Sequence, residues 1–234
     1  MGKRILILTI LLTTLLSCNK STKLPEQTLP PKEIALDNLV IDDMTIDELN
    51  ALNSGNIEII HSPTTGITRQ INGIFSKIEI MSEEDALLAL LNVRGIFQIP
   101  DDYSFCCLEV DRDRTEFQVF TFNQLYKGII VDGSMFRVVA TKNGTPVSVS
   151  GIYQYISDID TTPTISAESA LETVPLDRSV HIAALSLVIY VDKDTGSHLS
   201  WKYETHSNQL TECKIYYVDA HDESLINSVP TAIS

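Results

Sequence analysis

The chain has 234 residues, 17 of them basic and 31 acidic, for a formal net charge of −14, and 44% of it is apolar. A surface of that sign repels phosphate backbones and anionic head groups, which argues against nucleic-acid binding and electrostatic adhesion to lipid. The apolar share is large enough to bury a core in one large or two small domains.

Residues 1–17 read as a bacterial export signal. Lys3 and Arg4 form its charged start, and the apolar run 5–16 is short for a membrane span. Leu15-Leu16-Ser17-Cys18 resembles a lipobox, which makes Cys18 the expected lipidation site, with cleavage before it and the lipid bilayer as anchor. Losing Lys3 and Arg4 with that segment takes the net charge from −14 to −16. Residues 18–35 are polar, carry Pro25, Pro30 and Pro31, and have no periodicity that would bury a face. They read as a tether lifting the body off a membrane after export.

The folded part reads as two units, 36–156 and 157–234, divided by the polar, proline-ended linker 157–163. Thr45 opens a short helical turn over 47–52, and 57–62 and 68–80 read as strands broken by Pro63, Gly66 and Gly73. Ser82, followed by Glu83, Glu84 and Asp85, is an N-cap with acids at the positive helix end; the apolar face follows and Gly95 ends the helix. Strands are expected at 103–110 and 116–122, then at 128–132 and 135–141 with a tight connection at Gly133, then at 145–151. Ser166 caps a second helix, followed by strands at 184–191, 199–204 and 214–219. The expected class is α+β, with antiparallel sheets each packed by a helix.

Nothing in the chain marks a catalytic centre. The five histidines, His61, His181, His198, His206 and His221, include no H-E-x-x-H spacing. His221-Asp222-Glu223 reads as a solvated turn, and the acid pairs Asp42/Asp43, Glu83/Glu84 and Asp101/Asp102 as loop or helix-start residues. Trp201 and Tyr203 share one strand face and read as core. Adjacent Cys106 and Cys107 point to opposite faces of a strand, so at most one can face Cys213; a bridge and buried thiols both remain open. No Cys or His pair stands at metal-ligand spacing and no glycine-rich phosphate loop occurs, so no cofactor is expected.

Residues 125–151, LYKGIIVDGSMFRVVATKNGTPVSVSG, resemble the core of the pro-region of secreted thermolysin-like and fungalysin-like metallopeptidases, where a GxPVxG strand leads to a hairpin closed by NGxVxSVxG. Leu187–Tyr190 (LVIY), Leu199-Ser-Trp-Lys-Tyr-Glu and Tyr216-Tyr-Val-Asp-Ala-His-Asp-Glu-Ser-Leu are similar, in order and spacing, to the PepSY-like domain that closes such pro-regions. Ile130 departs from the family's proline, and Glu223 stands where a turn glycine is usual. The resemblance implies two small cystatin-like subdomains and a pro-domain without its enzyme. The implied partner is a secreted thermolysin-like metallopeptidase, to be inhibited or assisted in folding. The implied partner-binding residues are those of the tail: Asn227, Ser228, Val229, Pro230, Thr231, Ala232, Ile233 and Ser234. A structural or adhesive surface lipoprotein, or a truncated peptidase precursor, are the alternatives the sequence leaves open.

Overall fold

Thr45, Ser82 and Ser166 each precede a helix and each accepts a backbone N–H from its first turn. A computed structural model of the chain describes residues 24–36, 40–112, 116–177, 179–208 and 213–231, with helices α1 (Ile46–Leu52), α2 (Glu83–Leu91), α3 (Arg94–Phe97) and α4 (Ala167–Leu171). Thr45 Oγ1 accepts from Glu48 N at 3.3 Å while Glu48 Oε2 accepts from Thr45 N at 2.8 Å, and Ser82 and Asp85 repeat this reciprocal capping. Helix α2 stops at Leu91, not at Gly95, which lies inside α3. The reason is Asn92: its buried amide accepts Asp42 N (3.0 Å) and donates to Ser76 Oγ (3.3 Å), tertiary bonds that fix the chain there.

The strands among the described residues are, in chain order, β1 (Gln27–Thr28), β2 (Glu58–His61), β3 (Thr68–Asn72), β4 (Phe105–Asp111), β5 (Phe117–Tyr126), β6 (Ile129–Thr141), β7 (Pro146–Gly151), β8 (His181–Asp192), β9 (Gly196–His206), β10 (Lys214–Asp219) and β11 (Leu225–Pro230). They form one open sheet with the main path β11-β10-β9-β8-β6-β7-β3-β2, while β5 pairs with β6 and β4. Most ladders are antiparallel, but β6 meets β8 in parallel at Val131↔Ile189, and β1 lies parallel to β8. The α+β class is therefore right, whereas separate antiparallel sheets are not: the sheet is mixed and continuous.

Two cores sit on this sheet. One gathers α1, α2, α3 and the β3–β7 strands around Leu90, Phe105, Phe122 and Phe136. The other lies under α4, around Trp201, Tyr203 and Val218, and also takes Tyr126, Ile129 and Val131 from the β5–β6 hairpin. That hairpin thus reaches out of the first unit to seal the second.

Several expected elements have different bounds. The stretch expected at 68–80 breaks at Gly73 as its sequence indicates, but no strand resumes after it: Gly73 turns with φ +126° and Asn53 brackets Ile74, accepting its N–H (2.7 Å) and donating to its carbonyl (2.8 Å). The strands expected at 128–132 and 135–141 are one strand, β6. The turn sits earlier, at Lys127 (φ 49°) and Gly128 (φ 82°), a mirror-image pair suited to a two-residue hairpin. Gly133 (φ 78°) lies instead in a bulge of β6, where the register against β5 shifts between Asn123 and Leu125. Strand β11 takes in the first part of the expected tail.

The tether expectation is corrected from Leu24 onward. Leu24 packs on the second core, Gln27 and Thr28 pair with Leu185 and Ser186 of β8, Ile34 N donates to Phe105 O (3.0 Å), and Leu36 packs on the first core. Leucines and an isoleucine spaced along a proline-bearing segment supply the burial that such a strap needs. Residues 1–23, with the expected export signal 1–17 and the start of the expected tether, lie outside the described residues.

Candidate binding edge and the polar face behind it

Strand alternation sorts β9 and β10 into two faces. Trp201 and Tyr203 point at α4, where the Trp201 indole donates to Ile165 O (2.9 Å) and the Tyr203 hydroxyl to Ala167 O (2.6 Å). Both residues are core, as their period-two spacing indicates. The opposite face carries His198, Lys202, Glu204, Tyr217 and Asp219.

On that face Lys202 Nζ lies 3.2 Å from Asp132 Oδ1 and 3.2 Å from Glu204 Oε1, with 15% of its side chain exposed. Burial works against the ammonium, yet the two carboxylates outweigh it and hold Lys202 above the ordinary lysine range. The Tyr217 hydroxyl donates to Asp132 Oδ2 at 2.5 Å, and burial followed by the Asp132 charge pushes its pKa far up. Its ring stacks on Tyr190 at 4.1 Å between centroids. Asn227 of β11 donates to the Tyr190 hydroxyl (2.6 Å) and so joins the edge strand to this network.

β11 pairs with β10 on one side and ends the sheet path on the other. Of the expected tail, Asn227, Ser228, Val229 and Pro230 are in this strand, and Thr231 N donates to Cys213 O (3.0 Å). The free-tail expectation is therefore corrected for these residues, since backbone pairing with β10 ties them down. The Ser228 N–H does not serve the ladder: it donates to Asn227 Oδ1 at 2.8 Å. With Pro230, which has no N–H, the outer edge offers few free donors, a common guard against indiscriminate strand pairing. Leu225, Ser228 and Pro230 are exposed. Ala232, Ile233, Ser234 and the expected lipidation site Cys18 lie outside the described residues.

One polar array has no signature in the sequence. His198 Nδ1 lies 2.9 Å from Asp219 Oδ2, its Nε2 lies 2.9 Å from Thr195 Oγ1, and His221 Nδ1 lies 3.6 Å from Asp219 Oδ1. Hydroxyl, imidazole and carboxylate come in the order of a hydrolase triad. However, Thr195 Oγ1 also lies 3.1 Å from Asp192 Oδ1, which caps the same turn by accepting Asp194 N and Thr195 N, both at 2.9 Å. A hydroxyl whose proton goes to Asp192 is not activated by His198, and the array clamps the β8–β9 turn to β10. These backbone N–H groups hold the Asp192 carboxyl below the usual range. His221 is more than a solvated turn residue, since its Nε2 lies 3.2 Å from Thr162 O in the linker. The β9–β10 register, pairing Ser200 with Asp219, would have predicted this meeting, but register is not readable from one sequence.

Among the described residues, no trio of His, Cys, Asp or Glu is arranged to hold a metal ion. Cys106 is buried and Cys107 half-buried, with burial and then Glu83 pushing the Cys107 thiol up to about 11, which keeps it protonated and unreactive. Cys213 Sγ sits by Ser207, accepting its N–H at 3.4 Å.

No protein-family model matches the chain, and no curated protein matches it. Among solved structures it is similar to the Bacillus megaterium YpeB C-terminal domain, at 14% identity over 82% of this chain and 99% of that one, with a TM-score of 0.40. That likeness is too loose to assign a fold family or an activity.

Proposed function

We propose that this chain is a non-catalytic, propeptide-like lipoprotein of the bacterial cell envelope that binds a secreted thermolysin-like metallopeptidase as inhibitor or folding assistant. In this reading the unit before the 157–163 linker is the propeptide-like domain and the unit after it the PepSY-like domain. Each is a cystatin-like subdomain, and Cys18 carries the lipid. The observation that carries the reading is β11, an extended strand at the end of the sheet path with Leu225, Ser228 and Pro230 exposed along it. A strand already extended presents these exposed side chains to a peptidase surface without further ordering cost, the contact resting on side chains because the outer edge has few free N–H donors. Its pairing with β10 and the proline at 230 oppose cleavage, since hydrolysis needs a chain that can leave the sheet. The quoted motifs add support: LVIY falls in β8, LxWxxE in β9 and YYVDA at the end of β10.

Hydrogen exchange on the full chain, with and without a thermolysin-like peptidase and a chelator to block cleavage, tests this assignment. Slowed exchange in 225–231 is the expected result. Slowed exchange elsewhere only, or nowhere, removes β11 from the mechanism and favours a structural or adhesive surface lipoprotein.

A further inference from the structure

The geometry points to a second contact site, independent of β11: the cleft where residues 100–104 face residues 153–156 seats one cationic side chain, an arginine or lysine carried by a protein partner. The cleft measures about 400 Å³, room for such a side chain and some flanking backbone. Tyr126, Tyr153 and Tyr155 line it, the last two meeting edge to face at 5.7 Å. Aromatic faces carry partial negative charge and attract cations.

The rim strengthens that preference. Asp102 lines the cleft, and Ser104, also in its wall, donates to Glu33 Oε1 at 2.6 Å, which holds a second carboxylate alongside. Among the described residues neither Asp102 nor Glu33 has an ion-pair partner. Lys127, a cation in the lining, is neutralised by Asp158 at 2.9 Å. Its ammonium lies 5.0 Å from the Tyr126 ring, so one of these rings already holds a cation. Tyr155 is tied by its hydroxyl to Gln98 O (2.6 Å) and stands fixed as a wall. The Tyr153 hydroxyl has no hydrogen-bond partner among the described residues, and burial followed by Asp102 pushes its pKa up to about 12, so the hydroxyl stays neutral with its oxygen free to accept from a cationic donor. The net charge of −14 draws a basic partner toward the site from a distance and repels an acidic one.

The test uses the full chain in detergent micelles, labelled with 3-fluorotyrosine at its eight tyrosines and followed by fluorine NMR. The probes are Ac-Gly-Arg-Gly-NH2, the same peptide with citrulline for arginine, and tetramethylammonium. The arginine peptide is expected to shift the Tyr126, Tyr153 and Tyr155 signals saturably, with the citrulline peptide roughly tenfold weaker. Asp102→Asn should weaken the arginine peptide about threefold. Tyr153→Leu should remove its binding while the Tyr190 and Tyr217 signals stay in place, which reports an intact fold. Equal binding of the two peptides, no saturable shift, or tetramethylammonium binding as tightly as the arginine peptide would overturn the proposal. None of these outcomes bears on β11, which lies on the other unit.

Discussion

Lys202 Nζ lies 3.2 Å from Asp132 Oδ1, an ion pair that fastens the β6 bulge to β9 beside the parallel joint at Val131↔Ile189. Only 15% of the lysine side chain and 20% of the aspartate side chain are exposed, so removing one partner strands a poorly hydrated charge. Lys202→Met should therefore cost about 2 kcal/mol in urea denaturation, less than a fully buried pair because water still reaches Asp132. Combining it with Asp132→Asn should cost less than the two single changes added together, because the second change removes the stranded charge.

The same cluster sets an alkaline limit on stability. Tyr217 and Lys202 both have pKa values raised in the folded protein, so the native state holds these protons more tightly than the unfolded chain. Their contribution is complete below about pH 10 and is lost as pH rises from there through the folded values. Cys107, raised to about 11, acts in the same direction from about pH 9. The urea midpoint should stay level from about pH 7 to 9 and fall above about pH 10. Tyr217→Phe should lower stability at neutral pH and flatten part of that alkaline fall.

The strap 24–36 joins the two cores across their junction. Ile34→Ala should cost about 1–2 kcal/mol, as a half-buried isoleucine losing its contacts. Removing residues 24–34 should take away about 2–4 kcal/mol of apolar burial and strand pairing. Calorimetry should then resolve two unfolding transitions in place of one, the signature of two cores that the strap no longer couples.

Glu223 has φ 63°, a left-handed conformation in which a side chain is strained, and its Oε1 accepts from Ser169 Oγ at 2.7 Å. The strain costs about 1 kcal/mol and the hydrogen bond returns a similar amount. Glu223→Gly should thus lie within about 0.5 kcal/mol of the parent by thermal melting. Glu223→Val, with strain and no bond, should cost about 2 kcal/mol.

That position also illustrates what a single sequence reveals here. The left-handed φ of Glu223 is the conformation that glycine adopts without cost, which the Ser-Leu-flanked sequence of this turn does not announce. Helix starts at Thr45, Ser82 and Ser166 were readable because capping is local chemistry, as were Trp201 and Tyr203 as core residues. The single strand β6 was not, because Gly133 serves a bulge and a turn equally well and only pairing with β5 decides. The strap was missed because its burial depends on Leu185 and Phe105, far along the chain. Asp132, Lys202 and Tyr217, and likewise His198 with Asp219, meet through strand order and register, which no local pattern encodes.

The most direct measurement is inhibition. The full chain in detergent micelles, titrated against a thermolysin-like peptidase cleaving a fluorogenic peptide, should inhibit saturably and in proportion to dose. Ser228→Arg together with Leu225→Arg, two exposed changes on β11 that leave both cores untouched, should weaken that inhibition at least roughly tenfold. A folded protein that neither inhibits the peptidase nor speeds its refolding would contradict the account.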